Sequence, residues 1–111
     1  MRGVWGTVVK GGMTMATYIM LHRYTQKGIE NIKQSPARLD AGRKAFKAMG
    51  AELKQYYLVT GQYDIVIICE APNLETIAKC ALDLGSKGNV TTETLCAFTE
   101  DEFRKIIGAL P

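Results

Sequence analysis

Hydrophobic and polar positions change period several times along the 111-residue chain, and each change predicts an element. Residues 17–24 (Thr-Tyr-Ile-Met-Leu-His-Arg-Tyr) are β-branched and aromatic, which suits a strand. From Gln26 to about Met49 the pattern is helical. It is interrupted at Ser35-Pro36, where a serine N-cap and a proline in first helical position predict a restart. Leu39, Gly42, Phe46 and Met49 then share one face, and Gly50 supplies the stop. A second strand is predicted over Glu52 to Val59, followed by a tight connection at Thr60-Gly61-Gln62. A third, Tyr63 to Glu70, has a continuous apolar centre. Pro72-Asn73 ends that strand and caps a helix in which Leu74, Ile77, Ala78, Ala81 and Leu82 follow the spacing of a half-buried face, up to Gly85. After the loop from Ser86 to Asn89 comes a fourth strand, Val90 to Ala97. Thr99 and Glu102 then form a capping box that opens a helix with Phe103, Ile106, Ile107 and Leu110 on one stripe.

The order is βαββαβ with a C-terminal helix. Short connections and right-handed crossovers make this an α+β, ferredoxin-like antiparallel sheet of spatial order 4-1-3-2. The two central strands are apolar on both faces: Ile65 and Ile67 against Val66 and Ile68, and Ile19 and Leu21 against Tyr18 and Met20. Two crossover helices cover one face of such a sheet. The other needs the C-terminal helix or a second subunit, and four strands are broader than one short helix. A homodimer or higher homo-oligomer joined sheet to sheet is the economical arrangement.

Composition narrows the class. One domain fits this length, and 47% hydrophobic with 23% charged residues is ordinary for a globular protein. The longest apolar run, Ile65 to Cys69, is far short of the ~20 residues that span a membrane. The opening residues lack the apolar centre and cleavage site of a signal peptide. Cys69, Cys80 and Cys96 are odd in number, widely spaced and set in apolar segments, so they read as core thiols in a reducing, cytoplasmic setting. Residues 1–14 differ in character from the rest. They are expected to be a translated leader before a natural start at Met15, or else a mobile N-terminal arm, with the domain spanning 15–111. Without them the net charge falls from +3 to +1, so the folded part is nearly neutral.

Several blocks in order carry a resemblance. Gly61-Gln-Tyr63-Asp64, Tyr18-Ile-Met-Leu, Tyr24-Thr-Gln-Lys-Gly28-Ile29, Lys33-Gln-Ser-Pro36-Ala-Arg38-Leu39 and Gly88-Asn89-Val90-Thr-Thr92-Glu93-Thr94-Leu95 resemble the GYD family, whose signature is Gly-x-Tyr-Asp. The similarity runs from Met15 to Pro111. It implies the dimeric α/β-barrel superfamily, in which two sheets face each other and whose members include cofactor-free monooxygenases, haem proteins, muconolactone-type isomerases and ligand-binding regulatory modules. The family resemblance brings no settled activity with it, so chemistry stays open.

The topology predicts one meeting point. The end of the first strand should lie near the starts of the third and fourth, which gathers Tyr24, Thr25, Tyr63, Asp64, Asn89 and Thr92 as candidate ligand-binding residues beside the start of the first helix. Asp64 reads as a general base, or as a structural ion pair with Arg23 or a cap on backbone amides. Tyr63 would orient a substrate, or serve as an interface tyrosine. Lys33 and Arg38 flank the Ser35-Pro36 helix start and would hold an anion there, against the plainer reading of a solvated basic face. His22, the single histidine, shares a strand face with Tyr18, Met20 and Tyr24 and would look into the barrel interior. With no second histidine and no ligand spacing, neither a metal nor another cofactor is called for.

Two functions follow. The first is a small-molecule site in an oligomeric barrel, needing a cavity lined by Tyr24, Tyr63 and Asp64. The second is a non-catalytic structural or regulatory oligomerisation module. RNA binding through the sheet is discounted, because Ile65 to Ile68 stand where stacking aromatics would be and the domain is nearly neutral.

Overall fold

The computed structural model describes residues 7–10 and 13–111, with side chains from Thr14 onward. Its elements are β1 (Thr7–Lys10), β2 (Met13–Tyr24), α1 (Gln26–Glu30), a 3₁₀ turn (Ile32–Gln34), α2 (Ser35–Ala48), β3 (Glu52–Leu58), β4 (Ile65–Ala71), α3 (Leu74–Ser86), β5 (Val90–Ala97) and α4 (Glu100–Gly108). All strand pairings are antiparallel. β2 is central, with β4 on one side and β5 on the other, and β3 lies beyond β4. This is the ferredoxin-like order 4-1-3-2 with its C-terminal helix.

One strand is additional. β1 pairs with the first residues of β2, Thr7 opposite Ala16 and Lys10 opposite Met13. Ala16 also pairs with Ala71 of β4, so β1 lies along the same edge of β2 as β5. The central strand therefore begins four residues before the predicted Thr17. Residues 1–6 and 11–12 of the expected leader lie outside the described residues.

β4 shows why the sheet has two unlike faces. Ile65, Ile67, Cys69 and Ala71 are buried, and the alternating Val66, Ile68 and Glu70 are half-buried. The register puts Met20 beside Ile67 and Tyr18 beside Cys69, so the buried row of β2 joins that of β4. With Phe46 from α2 and Ile77 and Cys80 from α3, these residues form the core. Ile19, Leu21, Val66 and Ile68 line the opposite face with Leu95 of β5. α4 does not close it: Phe103 and Ile107 remain 55% and 49% exposed, and Leu110 of the predicted stripe lies beyond the helix end and is 62% exposed.

Local chemistry sets the helix boundaries. Asn73 caps α3 by accepting from the Thr76 amide at 2.8 Å, and Thr99 and Glu102 form the predicted capping box on α4. α2 ends in a Schellman motif. Gly50 takes φ +92°, its amide reaches the Lys47 carbonyl at 3.1 Å, and the Ala51 amide reaches that of Phe46 at 2.8 Å. Its start departs from expectation: Gln34 is the N-cap, and Ser35 lies inside the first turn with its hydroxyl turned to Tyr24. On α3 Thr76, Ile77 and Cys80 are buried and Ala81 and Leu84 half-buried against the core, while Leu74, Ala78 and Leu82 face outwards. Cys96, read as a core thiol, is exposed near the sheet edge.

The junction of α1 with the loop before β5 is tight. The Thr25 amide bonds the Asn89 carbonyl at 3.1 Å, and a Cβ on Gly28 would overlap that same carbonyl oxygen. An alanine in a helix ordinarily gains up to about 1 kcal/mol over glycine. Here overpacking dominates, and Gly28→Ala is expected to lose about 1–3 kcal/mol, seen as an earlier urea midpoint. An unchanged or later midpoint would show that the loop yields freely.

Candidate functional site

The two long helices do not close over the whole sheet. Between α2, α3 and the strands lies a cleft of about 730 Å³, at the end of the sheet where β2 finishes. This is within the range of about 300–1,000 Å³ usual for small-molecule sites. Its walls are largely apolar: Leu39 and Phe46 of α2, Leu53 of β3, Ile65 and Ile67 of β4, and Leu84 of α3. The polar groups come from the end of β2 (His22, Tyr24), the first turn of α2 (Ser35, Arg38), β3 (Tyr56) and the α1 and α3 borders (Lys27, Lys87, Asn89).

His22 is the unusual member. It is 2% exposed, and its Nε2 is buried without a hydrogen-bond partner. Loss of hydration lowers its pKa to about 4, so the ring is neutral at pH 7. Its strand face turns towards the helices and the cleft, not towards the open sheet face on which a barrel interior would form. Beside it is a chain of hydroxyls. The Tyr24 phenol and the Ser35 hydroxyl are 2.9 Å apart. Burial first, and a hydrogen bond to Tyr24 second, push the Tyr56 phenol up to about 12.

The predicted meeting point exists, but its members divide between the cleft wall and positions outside it. Tyr24, Arg38 and Asn89 line the cleft. Asp64 does not: its carboxylate accepts from the Tyr24 amide at 2.9 Å while its own amide donates to the His22 carbonyl at 2.9 Å. That is the backbone-capping role. Tyr63 also lies outside the cleft. Its ring packs under the Arg23 guanidinium, 4.7 Å from the centroid, and its hydroxyl donates to Glu93 at 2.5 Å. That hydrogen bond raises the Tyr63 pKa. Thr92 is beside this cluster. Thr25 is committed to structure, accepting from the Gly28 amide at 3.1 Å and donating to the Gly88 carbonyl at 2.6 Å. Lys33 is exposed and is not part of the cleft wall. A cavity lined by Tyr24, Tyr63 and Asp64 together is therefore replaced by one that keeps Tyr24 alone of the three.

His22, Lys27, Ser35, Tyr56 and Lys87 are polar wall residues that sequence reasoning left out of the site. The alternation of β2 already put His22 beside Tyr24; which way that face turned depended on where the helices packed. Among the described residues, no group of three or more His, Cys, Asp and Glu side chains stands together as a metal site would require. No described helix is long and apolar enough to cross a membrane.

A ferredoxin-like antiparallel sheet, with helices on one face and a cleft between them, defines a small α+β domain. The GYD domain model matches residues 18–107, and the chain belongs to that family. It is similar to a Thermus thermophilus protein named glutamine synthetase and cystathionine beta-lyase binding protein. The two are 34% identical over 82 residues, which cover 73% of this chain and 86% of that protein. No solved structure gives a significant match.

The buried neutral imidazole has a consequence for stability. In the unfolded chain His22 takes a proton as pH falls through 6.5, and in the folded protein only near 4. Between these values the unfolded state binds more protons, so stability falls as pH falls, by roughly 3 kcal/mol over the whole window. Urea unfolding at pH 7.5 and 5.5 should show a loss of about 1 kcal/mol. The variant His22→Leu should be nearly flat over the same interval. A wild type with no loss would contradict the buried neutral state.

Proposed function

We propose that this protein is a cytoplasmic regulatory binding module that works as a homo-oligomer and holds a small molecule in the cleft between its sheet and helices. The cleft itself carries this reading. An unpaired polar group in a buried wall costs about 1–3 kcal/mol, and an open cavity forfeits packing contacts. A ligand that fills the apolar space and hydrogen-bonds Nε2 of His22 recovers both. A domain that existed only to assemble would have no use for a cavity away from its open face. The three free thiols support a reducing compartment.

Self-association is supported by the row of Ile19, Leu21, Val66, Ile68 and Leu95, which stays half-buried to exposed on the face away from α2 and α3. A second copy presenting the same row would bury it. The relative's name favours a further role, docking on another protein. The exposed Phe103 and Ile107 of α4, with Leu110 just beyond it, are a candidate surface for this, and a metabolic enzyme such as glutamine synthetase is the first partner to try.

Native mass spectrometry of freshly purified protein tests the core of the proposal. The expected species is a multiple of the 12.2 kDa chain, with added mass from a retained small molecule. A charge placed on the open face, Leu21→Asp, should yield a folded monomer, since the side chain lies opposite the core. A wild-type monomer would overturn the oligomer. A ligand-free oligomer in which no small molecule protects the cleft from hydrogen exchange would favour the assembly-only module.

A further inference from the structure

We infer that the cleft selects an organic anion: a carboxylate on a mostly apolar, aromatic or branched body, with the carboxylate held at the first turn of α2 by Arg38 and Lys27. The inference rests on the cleft being a ligand site and adds the class of ligand. Four observations carry it.

First, the cleft wall is polarised. Its deep part is hydrocarbon, from Leu39, Phe46, Ile67 and Leu84, and its border carries Lys27, Arg38 and Lys87 against the single acid Asp83. Asp83 is already paired with Lys87 at 3.1 Å, which leaves two cations without a carboxylate partner among the described residues. Second, both are held in place by backbone and keep donors free. Arg38 donates to the carbonyls of Asn31 at 2.9 Å and Gly28 at 3.4 Å, through one N–H of each terminal nitrogen. The rest of its five-donor fork is unspent. Lys27 gives one of three donors to the Lys87 carbonyl at 2.9 Å.

Third, Ser35 and Arg38 belong to the first turn of a 14-residue helix with no acidic residue in that turn. The Ser35 amide is already bonded to the Ile32 carbonyl and Pro36 has no N–H, so what this turn contributes at the border of the cleft is freedom from negative charge rather than a set of free amides. Fourth, His22 gives the inner wall a buried, unpartnered nitrogen on a neutral ring. A neutral ring does not balance charge, so it suits a hydroxyl, amine or carbonyl on the ligand's body, while the anionic head stays with the two cations. Burying a ligand charge requires a hydrogen-bonded counter-charge, and the cations stand where the apolar wall gives way to solvent.

The test compares two probes of the same shape, 3-phenylpropionate and its primary amide 3-phenylpropionamide, titrated into the full chain at pH 7.5. The readouts are calorimetry and the amide shifts of His22, Tyr24 and Val90. The acid should bind about tenfold more tightly than the amide, the difference expected for charge-assisted hydrogen bonds. Arg38→Gln should abolish that preference, bringing the acid's affinity down to that of the amide in the same variant. Because Arg38 also ties α2 to α1, Lys27→Gln is made in parallel and should reduce the preference several-fold. Equal affinity for acid and amide in the wild type would overturn the anion class and leave the cleft as a ligand site. Failure of both probes to move the cleft signals would overturn the ligand site itself. An acid preference that survives both substitutions would overturn the assignment of its head to Arg38 and Lys27.

Discussion

Two helices cannot close a sheet of this breadth, and both notable surfaces of the molecule descend from that shortage. α2 and α3 pack on one face and bury the row running through Tyr18, Met20, Ile67 and Cys69. Phe46 of α2 and Ile77 and Cys80 of α3 join that row in the core. Towards the end of β2 the two helices no longer meet, and the space between them is the cleft. On the other face the same shortage leaves Ile19, Leu21, Val66 and Ile68 half-covered.

The cleft is kept open by groups that cannot collapse into it. Arg38 and Lys27 are tied to backbone carbonyls at its border, and the Tyr24 phenol meets the Ser35 hydroxyl across β2 and α2. Glycine at position 28 lets α1 approach the Asn89 carbonyl closely enough to fix the loop before β5. Asp64 completes the frame by holding the Tyr24 amide, which fixes the last residue of β2 against the start of β4. The signature Asp64 thus acts on the site through the backbone that positions Tyr24.

Much of the fold was legible because its signals are local. Asn73 and the Thr99–Glu102 pair are caps whose partners lie three residues away, so short-range spacing is enough to identify them. Gly50 announces the end of α2 for the same reason. Where the reading slipped, the deciding contact was distant. Ser35 looked like an N-cap, yet its hydroxyl meets Tyr24, eleven residues earlier on a strand. Leu74 and Leu82 fit a helical stripe but face outwards, because α3 is rotated to put Cys80 and Leu84 on the sheet. The strand β1 pairs in a stretch read as a leader or arm.

The amino-acid sequence by itself determined the order of elements from the central strand onward, the central position of the strand ending at Tyr24 and the two-faced character of the sheet. These follow from period, capping and crossover handedness, each a property of neighbouring residues or of chain connectivity. Tertiary structure decided which face of β2 the helices took. With that choice His22 went from the expected barrel interior to a buried cleft, and Tyr63 and Asp64 stayed outside the cleft that Tyr24 lines, Asp64 touching it only through the Tyr24 amide. Alternation along a strand tells which side chains stand together, but it is the same for either face. The packing of α2 and α3 distinguishes the two, and that rests on contacts between residues far apart in the chain.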